Sequence, residues 1–132
     1  MPATLPHDAL RIANATLPDF PDRSPAFALS FAHVLTGDCA AEAHGLSTSE
    51  AVMLAVEVEQ ALRRMAETLA PLARDELSPV LLRALIIDDL RPVLERAFLL
   101  ATRVALRPPV QQIVVDAWHV LFMAMVHGVQ ES

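Results

Sequence analysis

The chain has 132 residues, 54% of them hydrophobic but only 5% aromatic, enough for one domain that builds its core without disulfide or metal staples. Ten Arg, no Lys and sixteen acidic residues give a net charge of −6. The largest basic cluster is Arg63-Arg64, so the concentrated basic face that phosphate-backbone binding needs is missing and no nucleic-acid partner is expected.

The single cysteine, Cys39, rules out an intrachain disulfide and fits a reducing compartment. Pro6, His7, Asp8 and Arg11 interrupt any apolar N-terminal run, so no signal peptide is expected and the location expected is cytoplasmic. Low Gly and an Ala/Leu/Arg/Glu background favour helix. No stretch alternates with a period of two, so no strand is predicted. The predicted fold is all-α: an antiparallel four- to five-helix bundle over residues 24–132, preceded by a Pro-rich irregular arm over 1–23.

Five of the ten prolines lie in the first 25 residues: Pro2, Pro6, Pro18 and Pro21 in the arm and Pro25 just after it. A short helix fits His7 to Ala15, with Asp8 near its cap. Leu17 and Phe20 are apolar enough to dock, either across the body or onto a second subunit; a flexible tail is the other reading. Asn14-Ala15-Thr16 fits a glycosylation acceptor, which carries no meaning without a secretion signal.

Ser24-Pro25 places a cap residue before a proline, a helix start. That helix runs to Thr36 and Gly37, with Phe27, Phe31, Val34 and Leu35 on one face and His33 read as a packed core histidine. A helical turn over 39–44 follows, ending at Gly45. Its residues Cys39, Glu42 and His44, with Asp38 just before it, form a small polar cluster. No second cysteine supports zinc there, and no orienting group or oxyanion hole supports a Cys–His nucleophile.

Ser47 and Glu50 make a capping box, opening a helix over 48–70 whose buried stripe is Leu54, Val58, Ala61, Leu62, Met65 and Leu69. Glu57, Gln60, Arg64 and Glu67 form its wet face. Ser78-Pro79 starts the next helix, with Leu81, Leu82, Leu85 and Ile86 inward. Pro92 must then kink it, or end it near Asp89 so that another begins. The second piece turns Val93, Leu94, Ala97, Phe98, Ala101 and Val104 inward to about Leu106. Asp88 and Asp89 beside Arg91 read as a dipole-balancing feature of that break. A Mg2+ site there would need a phosphate cradle, and no Gly-rich loop or Lys supplies one.

The last helix, expected from Pro109, is apolar around its whole circumference, with Asp116 its one formal charge. A helix of that kind must be covered on every side. Its clean apolar run, Val120 to Val126, is too short for the ~20 residues a bilayer requires, so the cover expected is protein. The simplest source is a second copy in a two-fold dimer, with Val115, Trp118, Phe122, Met125 and Val126 at the interface. Met53, Met65, Met123 and Met125 read as core residues.

Asp116, His119, Met123 and His127 follow one another at spacings of 3, 4 and 4 and so share one face. Two imidazoles, a carboxylate and a thioether are transition-metal donors. His119 and His127 are about 12 Å apart by helical rise, too far to bind one ion. Asp-x-x-His has no second copy in the chain, as a di-iron bundle would require. The plainer reading is a polar strip meeting solvent or arginine.

Nothing catalytic is spelled out. The function expected is therefore a non-enzymatic interaction module, an adaptor or accessory protein acting as a homo-oligomer, with itself and another protein as partners and no cofactor. The alternative is a small-ligand or transition-metal-binding bundle on the Asp116/His119/Met123/His127 face. An enzyme would have to draw on Asp88, Asp89 and His44, which nothing in the sequence makes converge.

Overall fold

The structure, a computed structural model, describes residues 7–18, 26–37, 45, 47–70, 72–106 and 109–130. Among these every regular element is helical. The α helices are α1 (His7–Ala15), α2 (Ala26–Thr36), α3 (Thr48–Thr68), α4 (Pro79–Leu85), α5 (Arg91–Ala105) and α6 (Gln112–Gln130). Two 3-10 turns, Arg74–Glu76 and Asp88–Leu90, precede α4 and α5. No described helix is long and apolar enough to cross a membrane. The Ser24-Pro25 start signal and the Asp38/Cys39/Glu42/His44 cluster lie outside the described residues.

Local chemistry explains most of the boundaries. The Ser47 hydroxyl accepts from the Glu50 amide at 3.2 Å and donates to the Glu50 carboxylate at 3.1 Å, which satisfies an orphan donor at the start of α3. Ser78 does the same for α4 through the Leu81 amide at 3.2 Å, with Pro79 in the first turn. The chain at Pro92 is split rather than kinked. α4 ends at Leu85, Ile86 is exposed, and a 3-10 turn feeds α5 with Pro92 in its first turn, where a missing N–H costs nothing.

Several inward assignments change. The helix from Ser47 stops at Thr68 and Leu69 turns into the left-handed region at φ 54°, which swings its side chain out of the stripe; Ala51, Ala55 and Ala66 are buried instead. Val104 is 52% exposed, while Thr102 and Ala105 face the core. His33 is exposed, not packed with the phenylalanines; two residues past Phe31 is some 200° around the helix. Met65 and Met125 are buried, Met53 is exposed and Met123 is half-buried. The last helix starts at Gln112, after Pro109 rather than on it.

The core lies where α2 packs against α3 and α5, and continues to α6. Phe27 and Phe31 of α2 meet at 5.7 Å between ring centres, and Phe27 meets Phe98 of α5 edge-on at 6.2 Å. Phe98 in turn stacks on Phe122 of α6 at 4.5 Å. α1 lies along α6 and touches α3, burying Ala9, Leu10 and Ala13. Two polar contacts fix it there. The Asn14 amide donates at 2.9 Å to the Ala66 carbonyl, in the last turn of α3 where carbonyls lack helical partners. The buried Trp118 indole N–H donates at 2.9 Å to the Thr16 hydroxyl, which itself donates back to the Ile12 carbonyl. The segment that fits a glycosylation acceptor thus holds both its polar side chains in structural bonds.

Candidate functional site between the last two helices

The residues proposed as a subunit interface are not available for one. Val115, Trp118, Phe122, Met125 and Val126 are all at most 4% exposed, covered by this chain's own helices. The cover demanded by an apolar helix comes on this side from α1, α3, α4 and α5.

The polar strip does face outward, but its members part company. Asp116 is exposed and accepts from the Gln112 amide at 2.8 Å; the Gln112 carbonyl oxygen accepts from the Arg103 guanidinium at 2.6 Å. That chain ties the start of α6 to the end of α5. His119, one turn on, turns the other way. Its Nε2 lies 2.9 Å from a Glu95 carboxylate oxygen on α5, with both side chains about one-third exposed, and its ring stacks over Phe98. Such a pair, open to water, is worth about 0.2–1 kcal/mol.

Met123 and His127 border a third environment. An open groove of about 330 Å³ runs between α5 and α6. Asp88, Arg91, Pro92 and Glu95 line it from the α5 side, and Phe122, Met123, Val126 and His127 from α6. Arg91 is held by Asp88 across the 3-10 turn, so this carboxylate serves a side chain rather than capping the helix backbone. Its Nε is buried without a hydrogen-bond partner among the described residues. Among those residues no three His, Cys, Asp or Glu side chains gather as a metal ion would require. The four-residue line is therefore divided between an Arg103–Gln112 contact, a Glu95 contact and the groove.

A larger groove, about 500 Å³, was not anticipated. It lies between α3 and residues 72–81, floored by Ala61, Leu72, Leu77 and Leu81 and rimmed by Glu57, Arg63, Arg64, Glu67 and Glu76. The Arg63 guanidinium approaches Glu67 at 3.9 Å. The one adjacent basic pair in the sequence thus sits among carboxylates. Its signal in the sequence was the mixed-charge side of the helix over 48–70, whose ordinary meaning is a solvated face.

Comparison with known proteins adds nothing to these geometries: no protein-family model, curated protein or solved structure matches the chain.

Proposed function

We propose that the chain is a non-enzymatic helical interaction module, acting in the cytoplasm as a homo-oligomer and most simply as a two-fold dimer. In this reading the helices after residue 23 make an antiparallel bundle of four to five main members, and the Pro-rich N-terminal segment is an arm ahead of it. One observation carries the reading. The outward side of α6 has Ile113 at 60% exposure, with Val120, Met123 and Ala124 half-buried, on a helix whose one formal charge is Asp116. Apolar surface of this kind, rimmed by polar groups, is the usual mark of a protein contact.

Light scattering coupled to size-exclusion chromatography, run from low to high micromolar concentration, tests it. The expected result is a mass rising towards twice 14.4 kDa. A constant single-chain mass across the range contradicts it.

The α5–α6 groove supports a second reading, a small-ligand site: Phe122, Met123 and Val126 offer an apolar wall and Glu95, Arg91 and His127 offer polar handles. A fragment screen by NMR separates the two readings. Shifts confined to Met123, Val126 and His127, in a protein that stays monomeric, would favour the ligand.

A further inference from the structure

The outward residues of α6 are spaced as a helix-pairing seam. Ile113, Asp116, Val120, Met123 and His127 follow one another at 3, 4, 3 and 4, the a/d spacing of a two-helix contact. Each is exposed or half-buried, whereas Val115, Trp118, Leu121, Phe122 and Met125 occupy the opposite side and are buried. Small Ala124 flanks the seam, half-buried, and lets a second backbone come close.

The seam has a direction. A parallel pairing of two copies sets Asp116 against the partner's Asp116, a like-charge contact that opposes association. Reversing one copy about a two-fold axis between positions 121 and 122 maps Asp116, Val120, Met123 and His127 of the seam onto one another and leaves Ile113 at the outer end of the contact. Val120 then faces the partner's Met123, and Asp116 faces the partner's His127. An imidazole donates to a carboxylate in either of its protonation states. Asp116 already accepts from Gln112, with Arg103 behind it, but a carboxylate has about four lone-pair sites and can accept again. Around His127 stand Asp88, Arg91 and Glu95 of the groove, with Arg91 already held by Asp88.

We infer that two copies of this chain associate antiparallel along the outward face of α6, with Asp116 of each opposite the partner's His127. The inference rests on the homo-oligomer reading above and adds its surface, its direction and its register. The seam spans roughly 21 Å of helix, a contact at the small end of specific interfaces, so association in the micromolar range is expected.

Charge exchange in the full chain tests it, read by sedimentation equilibrium with circular dichroism as the folding control. Asp116→Arg alone and His127→Asp alone are each expected to weaken association about tenfold, and the double variant to recover it to within about threefold. Val120→Glu, in the middle of the seam, is expected to abolish it. If the unmodified chain is monomeric, the homo-oligomer reading falls and this inference with it. If it dimerises and the single variants dimerise equally well, the reading stands and the seam is wrong. If the singles weaken and the double does not recover, the face is right and the antiparallel register is overturned.

Discussion

The two sides of α6 are made of much the same residues and do opposite things. Inward lie Val115, Trp118, Leu121, Phe122 and Met125; outward lie Ile113, Asp116, Val120, Met123 and His127. Val and Met appear on both. What separates them is the surroundings that the rest of the chain supplies: α1 and the aromatic stack close over the first side, while the described helices cover the second only in part, leaving Val120 and Met123 half-buried and Ile113, Asp116 and His127 exposed. A helix that is apolar all round needs cover all round, yet half of that cover is internal here. The comparison moves the question of partners from the whole helix to one narrow seam.

The inward side should break most expensively. Trp118→Ala removes the largest fully buried side chain and leaves a cavity between α1 and α6, with an expected loss of about 3–5 kcal/mol in urea unfolding. Thr16→Val keeps the shape but takes away the indole's acceptor. Loss of this hydrogen bond is expected to cost about 0.5–1.5 kcal/mol, and the loss should shrink in a Trp118→Phe background, where no N–H remains. Thr102→Val sharpens the same contrast with the opposite sign. Its hydroxyl is buried without a hydrogen-bond partner among the described residues, so an apolar isostere is expected to raise stability, by about 1 kcal/mol. The outward side should matter least to folding. Val120→Glu is expected to change single-chain stability by less than about 1 kcal/mol while removing self-association; a loss as large as that of Trp118→Ala would erase the distinction between the two sides.

Cap signals were the most legible part of the sequence because they are local. Ser47 with Glu50, and Ser78 with Pro79, announce their helices within four residues, and the all-helical composition follows from the same scale of information. Helix ends were less legible. Leu69, Ile86 and Val104 continue the spacing of the inward stripes, but the chain has left the helix at the first two, and at Val104 the inward face has drifted to Thr102 and Ala105. The contacts that decide the role of α6 lie beyond that reach. Trp118 meets Thr16 across 102 positions, and Asn14 reaches Ala66 across 52. No spacing rule couples such residues, so an apolar helix looked like an interface where a nine-residue N-terminal helix covers it. The Asp116/His119/Met123/His127 line was legible from its spacing as one line along the helix, with Asp116 and His127 exposed and His119 and Met123 half-buried. Its division among Gln112, Glu95 and the groove depended on what α5 presents opposite it, which the α6 sequence does not contain.

Two methionines two residues apart carry the central claim, since Met125 is 4% exposed on the inward side and Met123 stands half-buried on the outward one. Peroxide converts accessible Met to its sulfoxide, and site-resolved mass spectrometry can follow both, with exposed Met53 and buried Met65 as references. The account predicts that Met125 stays as protected as Met65 at every protein concentration. Met123 should react readily in dilute protein and become protected as concentration rises through the micromolar range, while Met53 stays reactive. Equal reactivity of Met123 and Met125, or a Met123 rate indifferent to concentration, would contradict it.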